Sequence, residues 1–104
     1  MFTIDSHSDN DGCVTLRLGG QFDFNAYTEF KPYQTRALET PGTKQVILDM
    51  TRLDYLDSAA LGTLLLLREK AQDRNVEVLI RGANGVVQEI LDIAHFQRMF
   101  RFID

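Results

Sequence analysis

Residues 45–67 read Gln45-Val-Ile-Leu-Asp-Met-Thr-Arg-Leu-Asp-Tyr-Leu-Asp-Ser-Ala-Ala-Leu-Gly-Thr-Leu-Leu-Leu-Leu67, and this stretch decides the fold. Its first part, residues 45–50, is mostly apolar with β-branched side chains, which is typical of a central strand covered on both faces in an α/β sheet. After a connecting segment from Thr51 to Asp57, apolar residues recur at helical spacing and predict a deeply buried helix. The stripe consists of Ala60, Leu64, Leu67 and Ala71, with Leu61 and Leu65 beside it.

The segment before this stretch predicts a hairpin. Residues 2–7 and 13–18 are strand-like, and Val14, Leu16 and Leu18 alternate with polar neighbours. The intervening Asp9-Asn-Asp-Gly12 has the turn chemistry that tolerates positive φ, so the two strands should be antiparallel. Gly19-Gly20 then ends or bulges the second strand.

The remaining segments alternate between helix and strand patterns. Residues 25–39 repeat apolar side chains near the 3.6 period, which predicts a helix with Asn25 as its N-cap and a kink or a late start because of Pro32. Further patterns predict a strand over 76–80, a helix over 87–94 and a strand over 100–103. The order β-β-α-β-α-β-α-β predicts an α/β fold, a mixed sheet with right-handed crossovers packing helices onto one face or both.

The composition indicates one small domain, residues 1–104, that needs no metal or disulfide. A net charge of -4 and scattered basic residues disfavour nucleic-acid binding. The single Cys13 lies in a strand pattern and is expected to be a small buried residue in a reducing, cytoplasmic setting. The start of the chain has no signal-peptide pattern, and the apolar run Leu64–Leu67 is too short to cross a bilayer, so any membrane contact should come through a partner.

Ser58 is the main candidate for a functional residue, because it lies where a buried strand pattern passes into a buried helix pattern. Open α/β sheets carry their functional sites at such junctions. The sequence leaves two interpretations open. Ser58 could be the helix N-cap, with its side-chain oxygen accepting a backbone N–H, or its hydroxyl could carry chemistry.

The same residues resemble a known family. Asp57-Ser58-Ala59-Ala60-Leu61-Gly62, which follows the strand Val46–Asp49, is similar to the signature loop and helix of STAS-domain anti-sigma factor antagonists. Gly20-Gln21-Phe22-Asp23 resembles the family's Gly-x-x-Asp after its second strand. The likeness covers the whole chain and implies a single STAS domain. Where the family often has Ser-Ser-Gly or Ser-Gly, this chain has Ser58-Ala59-Ala60, which leaves one hydroxyl in the loop.

The resemblance implies a non-enzymatic phospho-switch. In the family a partner that is both serine kinase and anti-sigma factor phosphorylates the serine after the aspartate, which here is Ser58. The unmodified protein would bind the anti-sigma factor, phosphorylation would release it, and a phosphoserine phosphatase would restore binding. No cofactor is implied, because the partner would bind ATP. The expected partner-binding residues are Asp23, Tyr55, Asp57, Ser58, Ala59 and Gly62.

Other features of the sequence allow other interpretations. An acid/base pair or a metal site among the aspartates Asp23, Asp49, Asp54 and Asp57 is disfavoured, because His7 and His95 lack metal-ligand spacing and no phosphate-binding loop is present. The sequence is equally consistent with Tyr55 contacting a partner and with Tyr55 packing inside the domain. A cluster of aromatic residues lies in and around the first helix, and its helical spacing favours core packing over a partner surface: Phe22, Phe24, Tyr27, Phe30 and Tyr33.

Two further functions stay open at this stage. The alternative from another class is a STAS subunit of a membrane lipid-transport ABC complex, since other stand-alone STAS proteins serve in that way. The other possibility is binding of a small molecule or nucleotide in the cleft at the sheet edge.

Overall fold

The computed structural model describes all 104 residues and has five strands and three α-helices in the predicted order β-β-α-β-α-β-α-β. Two short 3-10 turns, Phe24–Ala26 and Phe96–Arg98, precede the first α-helix and the last strand. No helix is both long and apolar enough to span a membrane. The elements are β1 Phe2–Ser8, β2 Cys13–Phe22, α1 Tyr27–Glu39, β3 Gln45–Leu56, α2 Ser58–Gln72, β4 Glu77–Arg81, α3 Gly85–Ile93 and β5 Arg101–Ile103.

The strands form one mixed sheet in the order β1-β2-β3-β4-β5. β1 pairs antiparallel with β2, whereas β2, β3, β4 and β5 are parallel to one another. Because successive parallel strands are neighbours and always step in the same direction, right-handed crossovers place α1, α2 and α3 on the same face. β3 lies in the middle of the sheet, as its apolar sequence predicts.

The core lies between this face and the helices. Alternate strand residues such as Leu16, Leu48 and Ile80 belong to one cluster of 25 buried residues that also includes the inner faces of the helices. Burial of a leucine side chain stabilises a fold by about 1.5–3 kcal/mol, so this cluster holds the two layers together. The predicted helical stripe is confirmed, since each of its members is at most 1% exposed: Ala60, Leu64, Leu67 and Ala71.

The second face of the sheet has no helix on it, and the expectation that β3 is covered on both faces is wrong in that respect. Ile47 and Leu79 are nevertheless 9% and 2% exposed, although they lie outside the core cluster. They neighbour each other in the β3–β4 ladder, and charged side chains occupy the next row of the same face. Ion pairs join that row: Asp5 to Arg17 at 3.4 Å and Asp49 to Arg81 at 3.3 Å. Polar side chains therefore take the place of a second helical layer.

Asp49 is the most constrained carboxylate of this row. Partial burial on its own would raise the pKa of Asp49, but hydrogen bonds from Thr51 and from Arg81 outweigh burial and hold the pKa below its ordinary value. Cys13 is half-buried rather than buried, and partial burial, together with the nearby Asp9 carboxylate, raises the pKa of its thiol.

β3 is longer than its sequence predicts. The strand ends at Leu56, so the expected loop over 51–57 is absent and Tyr55 lies in a strand. The cause is β2, which also continues past its predicted end to pair Phe22 with Leu56. The pairing shifts register on either side of Gly19-Gly20, which confirms a bulge at this site. Gly20 has φ +75°, and the next residue donates its N–H to the carbonyl oxygen of Met1 at 2.9 Å.

α1 begins later than its apolar pattern predicts. Asn25 is not its N-cap, because residues 24–26 form a 3-10 turn capped by Asp23, whose Oδ1 accepts the N–H of Asn25 at 2.9 Å. The α-helix starts at Tyr27, and Pro32 lies in its second turn. Because Pro32 lies inside the helix and not in its first turn, the proline does not explain where α1 starts.

Candidate functional site

The candidate site lies at the carboxyl end of β3, where the chain passes directly into α2. Ser58 is the first residue of α2 and is exposed. It is not the N-cap: Asp57 caps α2, and its Oδ1 accepts the N–H of Ala60 at 2.9 Å. The N-cap interpretation of Ser58 is therefore wrong. Its hydroxyl makes no hydrogen bond within the protein, so it is free for chemistry with another molecule.

Asp57 joins two segments of the chain. Its second carboxylate oxygen, Oδ2, accepts the N–H of Phe24 at 3.1 Å. Its own N–H donates to the carbonyl oxygen of Phe22 at 3.2 Å, and its carbonyl oxygen accepts the N–H of Leu61 at 3.0 Å. Asp57 thus fixes the start of α2 against the segment between β2 and α1. Both carboxylate oxygens are occupied in this role.

Asp23 and Ala59 come together beside Ser58. They line a groove of about 440 Å³ between the 3-10 turn and the first turns of α2, together with Phe24, Asn25, Tyr27, Thr28 and Thr63. Thr63 donates its hydroxyl to the carbonyl oxygen of Ala59 at 3.0 Å, so its side chain is engaged within the helix. The groove places Asp23 and the predicted phosphosite at the same edge of the sheet.

Gly62 and Tyr55 occupy different faces. Gly62 is exposed and lies one turn after Ser58 on the outside of α2. Tyr55 is 44% exposed and pairs with Gln21 in the ladder. Because it directly precedes the buried Leu56 in a strand, its side chain lies on the helix-free face. The structure therefore brings together Asp23, Asp57, Ser58, Ala59 and Gly62, and sets Tyr55 apart from them.

The aromatic group divides between core and surface. Phe22 and Phe30 are fully buried with ring centroids 5.1 Å apart, which confirms the packing interpretation for these two. Phe24 is 75% exposed, so that interpretation is wrong for Phe24. The 3-10 turn places it outside the helical stripe on which the sequence argument relied. Leu65 and Leu66 were also missed as surface residues, at 37% and 41% exposure.

The site contains no arrangement of the usual metal ligands. Nowhere in the structure do three or more His, Cys, Asp or Glu side chains come close enough together to hold an ion. His7 and His95 are both exposed, His7 on the edge strand β1 and His95 with φ +60° before the second 3-10 turn. An exposed hydroxyl, a capping aspartate and an apolar helix surface are suited to recognition by another protein.

The family model for the STAS domain matches residues 7–104. The chain belongs to the STAS domain family. A STAS-domain containing protein of Pseudomonas aeruginosa is 35% identical over 88 residues, which are 85% of each chain. The anti-sigma F factor antagonist of Paenibacillus polymyxa is 20% identical over 93 residues, 89% of this chain and 80% of its own.

The STAS fold is also confirmed by solved structures. The unphosphorylated form of the anti-sigma factor antagonist SpoIIAA aligns over 98% of this chain and 88% of its own, with a TM-score of 0.77 and 17% identity. The phosphorylated form of SpoIIAA from Bacillus gives 0.74 and 14% identity over 98% and 92%. The resemblance to STAS-domain anti-sigma factor antagonists is therefore confirmed for both sequence and fold.

Proposed function

We propose that this STAS domain is an anti-sigma factor antagonist of the cytoplasm that acts by binding and not by catalysis. In its unmodified form it binds an anti-sigma factor and frees a sigma factor. A serine kinase, which can be the anti-sigma factor itself, ends the interaction by phosphorylating Ser58, and a phosphoserine phosphatase reverses the change. The observation that carries the proposal is the exposed, unbonded hydroxyl of Ser58 directly after the capping Asp57.

The start of α2 can hold a phosphoryl group without unfolding. Oδ1 of Asp57 accepts the N–H of Ala60, and the carbonyl oxygen of Asp57 accepts the N–H of Leu61. The N–H groups of Ser58 and Ala59 have no helical carbonyl oxygen four residues before them, so they stay free. Free N–H groups and the helix dipole favour an anion at this end, so phosphorylation should leave the fold intact.

The same charge opposes association. A phosphoserine carries about -1.5 to -2 units at neutral pH. It would lie next to the carboxylate of Asp57, on a surface that loses water when a partner binds. Burial of an unpaired phosphate in the interface costs more free energy than burial of the hydroxyl that it replaces. The difference in the partner's affinity for the two forms is what drives the switch.

The test uses the hydroxyl directly. The Ser58→Ala variant serves as bait in a lysate of the source cells, and the captured protein is identified, purified and titrated by calorimetry against the unmodified, Ser58→Ala and Ser58→Asp proteins. We expect Ser58→Ala to bind like the unmodified protein and Ser58→Asp to bind at least tenfold more weakly. Equal affinities would remove the charge argument.

The modification itself needs a matched control. Thr63 carries the only other hydroxyl of α2 and already donates it to the carbonyl oxygen of Ala59. Intact-mass spectrometry with site mapping of protein from its own cells should find one phosphoryl group, kept in Thr63→Ala and lost in Ser58→Ala. The lipid-transport alternative is not proposed, because two sequence relatives that are named for a function are anti-sigma factor antagonists.

A further inference from the structure

A second cleft lies on the face of the sheet that carries no helix, above β1, β2 and β3. Its volume is about 330 Å³. The groove beside Ser58 is a different site, because it lies between α2 and the 3-10 turn before α1. Two rows of residues that cross the strands line the cleft: Thr3, Gly19 and Arg52 in one row, and Asp5, Arg17 and Asp49 in the next.

A bulge in β3 turns Arg52 toward this cleft. From Arg17 to Gly19 the β2 strand advances by two residues, whereas its partner β3 advances by three, from Asp49 to Arg52. In a regular strand Arg52 would lie on the same side as Met50, which is fully buried in the core. The extra residue places Arg52 on the outer face instead, where it lines the cleft. Bulges are frequent next to active sites, where they redirect a side chain.

Gly19 leaves room between Thr3 and Arg52. A Cβ at this position would come within 2.5 Å of Oγ1 of Thr3 and within 3.7 Å of Cβ of Arg52. The hydroxyl of Thr3 therefore lies over the glycine, and it makes no hydrogen bond within the protein. Gly19 is not among the glycines with positive φ, so its backbone conformation does not require glycine. What the missing side chain provides is space beside a free hydroxyl.

The two carboxylates of the cleft differ in how firmly they are held. Oδ1 of Asp49 accepts the N–H and the hydroxyl of Thr51, and Oδ2 of Asp49 pairs with Arg81 at 3.3 Å. Asp5 and Arg17 share one contact of 3.4 Å, and their side chains are 66% and 54% exposed. Asp49 is therefore fully engaged, whereas Asp5 and Arg17 can each take a further partner.

Arg52 is the cation of the cleft that has no partner. It is exposed and makes neither a hydrogen bond nor an ion pair through its side chain. Since Asp5 and Asp49 are each paired with another arginine, the cleft retains one positive charge in a protein whose net charge is -4. A guanidinium group presents a planar fork of N–H donors that matches a carboxylate. The cleft is therefore suited to one negatively charged group.

We propose that this cleft binds a small organic anion of one negative charge through its carboxylate. Arg52 donates to the carboxylate, and Arg17 and the hydroxyl of Thr3 complete its hydrogen bonds. A hydroxyl group next to the carboxylate donates to Asp5, whose only contact is with Arg17. A second negative charge on the ligand would face Asp5 and Asp49, so dianions fit less well.

The first experiment measures binding with defined probes. Glycerate, acetate, sulfate and glycerol are titrated into the isotope-labelled protein, and amide resonances are followed by NMR. We expect glycerate to shift the amides of Thr3, Gly19 and Arg52, but not that of Ala60 in α2, with a Kd of about 1 mM, because it has few atoms. Acetate lacks the hydroxyl and should bind about threefold more weakly. Sulfate, a dianion, should bind about tenfold more weakly, and neutral glycerol should not bind.

The second experiment identifies the groups that hold the carboxylate. Arg52→Gln should weaken glycerate binding about tenfold, and Thr3→Val, which keeps the shape and removes the hydroxyl, about threefold. Arg98→Gln is the matched control, because Arg98 is exposed in the second 3-10 turn and makes no side-chain hydrogen bond. It removes the same charge outside the cleft and should leave the Kd within about twofold. The Tm of Arg52→Gln should stay within about 2 °C of the unmodified protein, because Arg52 makes no bond whose loss could unfold the domain.

Each outcome supports the site or overturns it. Saturable binding of glycerate that needs Arg52 but not Arg98 supports it. Equal losses in Arg52→Gln and Arg98→Gln would mean attraction by net charge alone and would overturn it, as would the absence of any shift at about 20 mM glycerate. Sulfate that binds more tightly than glycerate would overturn the assignment to a single carboxylate. Ser58→Ala should bind glycerate like the unmodified protein, so the result does not depend on the proposed function.

Discussion

Removal of the Asp57 carboxylate tests the connection between α2 and the segment that carries Phe24. Asp57→Ala deletes the acceptor for Ala60 N–H at 2.9 Å and the acceptor for Phe24 N–H at 3.1 Å. Loss of an N-cap costs about 1 kcal/mol. A hydrogen bond to a charged group contributes about 1.5 kcal/mol at the low end of its range, which applies here because Phe24 is exposed.

The two bonds can be separated with a second variant. Asp57→Asn keeps one carbonyl oxygen that can cap α2, because asparagine is as good an N-cap as aspartate. Its amide group donates and cannot accept the N–H of Phe24. We therefore expect the free energy of unfolding to fall by about 1.5 kcal/mol in Asp57→Asn and by about 2.5 kcal/mol in Asp57→Ala. The larger loss corresponds to a decrease in Tm of about 10 °C for a domain of this size.

Urea denaturation and amide hydrogen exchange measure these effects. The amide of Phe24 should exchange faster in both variants, and that of Ala60 only in Asp57→Ala. Asp54→Ala is the control, because the side chain of Asp54 is exposed, lies three residues earlier and makes no hydrogen bond or ion pair. Asp57→Asn could unfold at the same urea concentration as the unmodified protein, with unchanged amide exchange at Phe24. In that case the hydrogen bond between Phe24 and Asp57 contributes nothing to stability.

Two further predictions concern the sheet. Gly20→Ala should destabilise the domain by at least about 2 kcal/mol, because φ is +75° and a Cβ would overlap the carbonyl oxygen of Met1. The control is Gly42→Ala, which should destabilise it by only about 1 kcal/mol, because φ is +86° but a Cβ would meet open space. Equal losses of stability in urea denaturation would contradict the steric argument. Asp49→Asn should destabilise the domain at pH 7, because the pKa of Asp49 is held below its ordinary value by Thr51 and Arg81. A lowered pKa in the folded state contributes stability that is present above about pH 4 and is lost as the pH falls through the folded-state pKa. The difference in unfolding free energy between the two proteins should therefore shrink as the pH falls from about 5 to about 2. A difference that stays constant over this range would contradict the role of the Asp49 carboxylate.

Periodicity predicted the parts of the fold that depend on local sequence. The stripe of α2 and the central position of β3 follow from where apolar residues recur, since burial on one side of a helix requires that spacing. The end of β3 could not be predicted in this way. Thr51 to Leu56 alternate poorly, and they are held in a strand by the extension of β2 as far as Phe22, which is a long-range pairing.

The junction between β3 and α2 was predicted in outline but not in its division of roles. The sequence indicated Asp57-Ser58 as the junction, yet both side chains are suitable N-caps and only the exact start of the helix decides between them. Phe24 was assigned to the core because it follows the aromatic spacing of α1. The 3-10 turn capped by Asp23 has a different period and places it in solvent.

The ion pairs on the helix-free face have a consequence for how copies of this protein behave at high concentration. A flat β-surface with exposed isoleucine and leucine would invite neighbouring molecules to stack. Asp5, Arg17, Asp49 and Arg81 keep that plane hydrated while they neutralise one another. The charged row of this face should therefore oppose stacking of one copy of the domain on another.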